Sequence, residues 1–81
     1  MTLEEKVIGI IVEQLDVTQE ECVLEASFID DLGADSLDLV ELIMEMEETF
    51  DIQIADNELQ QIRLIKDVLD YLRNKGVTWH E

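Results

Sequence analysis

The sequence has no proline, one cysteine, one histidine and three glycines, and its only aromatic residues are two Phe, one Tyr and one Trp. Each scarcity removes an option. The lone Cys22 cannot form an intramolecular disulfide or supply a cysteine cluster for a metal. The sole histidine, His80, lies in a tail beyond the last helical pattern, a poor place from which to serve a Ser–His–Asp or Cys–His arrangement. Hydrolase chemistry is therefore not expected. With Gly9, Gly33 and Gly76 as the only glycines, nothing reads as a flexible linker, and no internal repeat or low-complexity stretch occurs. No apolar run approaches the roughly 18 residues of a membrane span. Glu4 and Glu5 beside Lys6 do not give the basic-then-apolar layout of a secretory signal, so a soluble, cytoplasmic protein without membrane insertion is expected. Positive charge is also scarce. Five basic against 21 acidic residues leave a net charge of −16, the wrong sign for nucleic acid and the right one for partners with basic patches.

What is present fits one small domain spanning residues 1–81, with 47% hydrophobic residues, too many for a disordered acidic tail. At this size folding buries only about 60% of the unfolded chain's surface, so a deep enclosed catalytic cavity is not expected. Thr2 and Glu5 make a T-x-x-E capping box ahead of Leu3, Val7, Ile8, Ile11, Val12 and Leu15, whose steps of three and four predict a helix to Leu15 or Asp16. Residues 16–35 show no sustained period and predict a long connection, anchored by Phe28, Ile29 and Leu32. Cys22 within it reads as a small, partly buried apolar residue.

A second helix is predicted from Asp35-Ser36 to Phe50. Leu39, Ile43, Met46 and Phe50 share its core face, while Asp38, Glu41, Glu45 and Glu48 fall on the opposite side. Leu37 and Met44 border that acidic stripe and are expected to be exposed. Ile52-Gln53-Ile54 reads as an extended connection. Asp56 is expected to cap a short helix from Asn57 to about Ile62, and a last helix runs from Ile65 to Lys75 with Ile65, Val68, Leu69 and Leu72 inward. Arg73 and Lys75 suit its C-terminal end, Gly76 suits the position just past it, and the tail from Val77 is expected to be mobile. The fold class is all-α: a small antiparallel bundle of three longer helices and one short one, with a long loop between the first two.

The candidate site is Asp31-Leu32-Gly33-Ala34-Asp35-Ser36-Leu37-Asp38-Leu39-Val40-Glu41-Leu42. Ser36 stands at a helix entrance, where unpaired N–H groups favour phosphate. By itself the same serine also suits a plain helix cap. Calcium binding of the EF-hand type does not fit, because the first ligand position would fall on Phe28.

Leu-Gly-Ala-Asp-Ser-Leu followed by an acidic amphipathic helix resembles the attachment motif of acyl carrier proteins. The similarity also takes in Ala26-Ser27-Phe28, Glu47-Glu48-Thr49-Phe50-Asp51 and Leu69-Asp70-Tyr71-Leu72. The resemblance implies a non-catalytic carrier, monomeric, with 4′-phosphopantetheine covalently bound to Ser36. A phosphopantetheinyl transferase would load the arm, and fatty-acid synthesis enzymes and acyltransferases would visit it. It further implies partner contacts at Asp35, Leu37, Asp38, Glu41, Met44, Glu47 and Glu48. An acyl pocket between the second and third helices would be lined by Ile43, Met46, Ile54, Leu59 and Ile62. The chain departs from the family pattern at Ala55, where many members have proline, at Leu59 with Gln60-Gln61, and at Leu64-Ile65, where a threonine usually starts the last helix. Carriers for polyketide, lipid A or aminoacyl transfer, and an unmodified acidic interaction module, are the alternatives.

Overall fold

Thr2 opens the first helix as the sequence predicts: Glu5 N–H donates to Thr2 Oγ1 at 3.1 Å, and Glu5 Oε1 accepts from Thr2 N–H at 2.8 Å. In this computed structural model residues 2–79 are described, so His80 lies outside the described residues. Helix α1 spans Leu3–Leu15 and closes at Asp16, which takes a left-handed φ of 55°. Its buried stripe is Val7, Ile10 and Ile11, with Ile8 and Val12 half-buried on the flanks. Ile10, absent from the expected stripe, belongs to it because the three-residue step from Val7 reaches it.

The connection from 16 to 35 is ordered by side-chain caps and backbone staples. A 3-10 turn over Gln19–Glu21 carries a second T-x-x-E box, with Glu21 N–H on Thr18 Oγ1 at 3.3 Å and Thr18 N–H on Glu21 Oε1 at 3.0 Å. Further on, the loop is tied to the start of the last helix. Phe28 N–H donates to the Arg63 carbonyl at 3.1 Å, Ile65 N–H to the Ala26 carbonyl at 3.1 Å, and Lys66 N–H to the Leu24 carbonyl at 2.9 Å. Phe28 and Leu32 are buried anchors as expected, joined by Cys22, Ala26 and Ala34. Ile29 is not an anchor. It is 54% exposed, at the outside of the turn closed by Leu32 N–H on the Ser27 carbonyl at 3.0 Å.

Helix α2 spans Ser36–Phe50 and buries Leu42, Ile43 and Met46; Leu39 and Phe50, expected on the core face, are half-buried, and Leu42 takes the central position. Helix α3 is a single turn, Asp56–Leu59, capped at Ala55 rather than Asp56. The residues expected to extend it instead tighten into three-residue turns, with Gln61 N–H on the Glu58 carbonyl at 3.0 Å and Ile62 N–H on the Leu59 carbonyl at 3.1 Å. Helix α4 spans Ile65–Asn74 and buries Ile65, Val68, Leu69 and Leu72, the four residues its period picks out. The missing threonine at its start is replaced from inside the helix: Asp67 Oδ2 accepts from Arg63 N–H at 3.1 Å and Leu64 N–H at 3.0 Å.

Helix α1 packs against both α2 and α4, and the loop anchors fill the space left between them. The tail does not stand free as far as Trp79. Its ring meets Phe50 edge-on at 5.8 Å and 88°, with Lys6 Nζ 5.0 Å from the ring centre.

Candidate functional site

The turn ahead of α2 is set by Gly33, whose φ of 73° a residue with a side chain resists. Ala34 then turns inward, buried, with its N–H on the Phe28 carbonyl at 2.9 Å. Asp35 is the N-cap of α2: Asp38 N–H donates to Asp35 Oδ1 at 2.8 Å, and Asp35 N–H donates to Asp38 Oδ2 at 3.3 Å. The plain-cap reading of Ser36 therefore fails. Ser36 is the first helical residue, exposed, with its hydroxyl not spent on the helix end. A phosphate held covalently there would lie at the positive end of the helix.

Beside Ser36 is a pocket of about 440 Å³. Phe28, Ile29, Leu39, Val40, Leu59 and Ile62 supply its apolar wall, and Asp30 and Arg63 also line it. Of the five residues expected around an acyl chain, Leu59 and Ile62 line this pocket. Ile43 and Met46 do not; both are buried on the core face of α2, and neither lines a pocket described here. Ile54 lines a second, larger cleft of about 970 Å³ with Met44, Glu47, Glu48 and Glu58. Phe28 on the loop and Leu39 and Val40 on α2 line the pocket beside Ser36 as well; the loop's position over that side of α2 is not revealed by the helix's own periodicity.

Along the outer face of α2, Leu37 and Met44 are exposed at 65% and 56%, with Asp35, Glu41 and Glu48 exposed around them. Val40, 41% exposed, was not singled out, although its three-residue step from Leu37 and four-residue step to Met44 places it on the same stripe. Asp38 is half-buried in the cap. Glu47 is also half-buried, and its Oε2 accepts from Ile54 N–H at 2.7 Å, so it ties α2 to the segment leading into α3.

Cys22 offers no rival nucleophile. It is buried, and its Sγ donates to the Thr18 carbonyl at 3.5 Å. Burial foremost, and then the neighbouring Glu21 charge, push its thiol above the ordinary range and keep it protonated. Among the described residues no cluster of His, Cys, Asp and Glu is arranged to hold a metal, and no helix is long and apolar enough to cross a membrane.

Comparison with known proteins agrees with this geometry. Residues 5–72 match the family described as the phosphopantetheine attachment site. An acyl carrier protein of Syntrophus aciditrophicus is 67% identical over 79 residues, which cover 98% of this chain and 99% of that protein. One from Nitratidesulfovibrio vulgaris is 57% identical, covering 93% of this chain and 99% of the relative. A solved structure from Mycobacterium tuberculosis, described as an acyl carrier protein, superposes with a TM-score of 0.82 at 35% identity, covering 89% of this chain and 96% of that one. A helical domain with an exposed serine at the entrance of an acidic helix, matched over nearly its whole length by these relatives, belongs to the acyl carrier proteins, the family that carries a covalent 4′-phosphopantetheine.

Proposed function

We propose that the protein carries growing acyl chains on a 4′-phosphopantetheine arm attached to Ser36 and delivers them to enzymes of fatty-acid synthesis in the cytoplasm. The observation that carries the assignment is the division of labour at the entrance of α2. Asp35 caps the helix, so Ser36 is exposed and free to be modified. In the loading step a phosphopantetheinyl transferase would join Ser36 Oγ to the phosphorus of coenzyme A that bears the pantetheine. That bond forms as the bond from the same phosphorus to adenosine 3′,5′-bisphosphate breaks, and the serine proton passes to a base of the transferase. The chain needs no base of its own for this, and carriers of this family are not catalysts. When bound, the arm supplies a thiol on which an acyl group is held as a thioester.

The residues of this chain then do two things. The exposed Leu37–Val40–Met44 stripe, framed by Asp35, Glu41 and Glu48, offers an apolar strip in an acidic field to basic partner surfaces. Charge steers the encounter and apolar contact holds it. Asp38 and Glu47 contribute to the same field from their structural positions. The pocket closed by Leu59 and Ile62 shelters the start of an acyl chain, each buried methylene contributing about 0.8 kcal/mol.

Intact mass tests the assignment. Incubation with coenzyme A and a transferase is expected to add roughly 340 daltons, the mass of the modifying group on serine. Ser36→Ala is expected to gain nothing. A gain that persists in Ser36→Ala would move the attachment elsewhere.

A further inference from the structure

Of the five basic residues in the chain, one lines the pocket that opens beside Ser36, and that residue is Arg63. The base of its side chain is fixed to the same loop that forms the opposite wall. Its carbonyl accepts from Phe28 N–H at 3.1 Å, and its N–H donates to Asp67 Oδ2 at 3.1 Å. The side chain itself is exposed and at the rim. The other cations are placed elsewhere: Lys6 lies over Trp79 and Lys75 over Tyr71, while Lys66 and Arg73 project from α4.

A phosphodiester on Ser36 would enter strongly negative surroundings. Asp30 lies on the rim of the same pocket, and Asp35 and Asp38 flank the serine in the cap. The helix entrance offsets part of this repulsion, and a guanidinium is well shaped to offset more, since its planar fork grips two phosphate oxygens. We propose that Arg63 is a positioning residue for the arm. Its guanidinium pairs with the phosphodiester at Ser36 and holds the arm over the mouth of the pocket, so that the acyl group starts above the apolar wall of Leu59 and Ile62. The inference rests on the Ser36 assignment above. Asp30, the other charged residue lining that pocket, is a carboxylate with which the phosphodiester would compete for the guanidinium.

The test compares unmodified and fully modified protein, labelled with nitrogen-15, at low salt. Intact mass first confirms that modification is complete. The Arg63 Nε–Hε resonance is expected to move on modification. In modified Arg63→Gln the phosphorus-31 resonance of the arm is expected to shift, and contacts between the arm and Leu59 or Ile62 to weaken about 1.5- to 5-fold, the range of an exposed ion pair. Arg63→Lys is expected to restore part of both, and added salt to diminish the difference. Complete modification with an unmoved Arg63 Nε–Hε signal and an unchanged phosphorus resonance in Arg63→Gln overturns the role of Arg63 alone. Absence of the mass gain overturns the Ser36 assignment, and this inference with it.

Discussion

Adjacent residues at the entrance of α2 have different tasks, and the difference lies in one backbone position. Asp35 is extended, with its carboxylate 2.8 Å from Asp38 N–H, while Ser36 is already helical and points outward. A side chain that caps cannot also be freely presented, so the aspartate releases the serine. Asp35→Ala is expected to lower the unfolding free energy by about 1 kcal/mol in denaturant titration, the usual cost of a lost cap. Asp35→Asn keeps an acceptor in place and should cost much less. Since both variants remove one negative charge, an equal loss in the two would show that the charge, and not the hydrogen bond, matters there. The sequence displayed Asp-Ser at a helix start but not which of the two was the cap, because both are favoured at that position.

At the scale of elements, the three longer helices were legible because each repeats apolar residues at steps of three and four and two of them carry their own start signals. The short helix and the loop were legible as elements, but the extent and cap of the one and the anchoring of the other were not. Helix α3 is one turn long, too short for a period to assert itself, and the loop is held by backbone bonds to residues far along the chain, such as Phe28 to Arg63. Such pairs leave no mark on local composition, so the sequence does not separate the exposed Ile29 from the buried Phe28 and Leu32, nor place the loop beside α2. The same holds for Glu47, which looks like any solvated carboxylate in sequence and yet accepts from Ile54 N–H at 2.7 Å. Removing it leaves a half-buried N–H without its charged acceptor at the approach to α3. In hydrogen exchange, Glu47→Ala is expected to speed exchange at Ile54 and in α3 while α1 and α4 stay protected. The global loss should be about 1 kcal/mol, below the roughly 1.5–3 kcal/mol typical of hydrogen bonds to charged groups, because the site is only half-buried. Uniform loosening of every helix would mean that Glu47 serves the core and not the α2–α3 connection.

For the whole molecule, charge decides more than any single contact. A net charge of −16 is confined to a body measuring 29 × 28 × 19 Å, so carboxylates lie within one another's field and the folded state works against its own repulsion. Salt shortens the Debye length from about 30 Å at 0.01 M to about 8 Å at 0.15 M, which falls below those dimensions. The melting temperature at pH 7 is therefore expected to rise with sodium chloride, by about 4–8 °C for each kcal/mol of repulsion relieved in a domain of this size. Acid acts through two opposed effects. Protonating carboxylates relieves the same repulsion, but it also dissolves the capping boxes. Glu5 and Glu21 are held below the ordinary carboxylate range chiefly by the Thr2 and Thr18 N–H groups that they accept from. A carboxylate lowered on folding stabilises the fold above its unfolded pKa and loses that contribution as pH falls through its folded one. Stability should thus climb as pH is brought from neutral toward the upper edge of the carboxylate range, and fall again below it as the boxes open. The gain from added salt should shrink along the same path, because less charge is left to screen. Melting curves at low and high salt across this range check the account, and a salt increment as large at pH 4 as at pH 7 would show that repulsion between carboxylates is not what salt relieves.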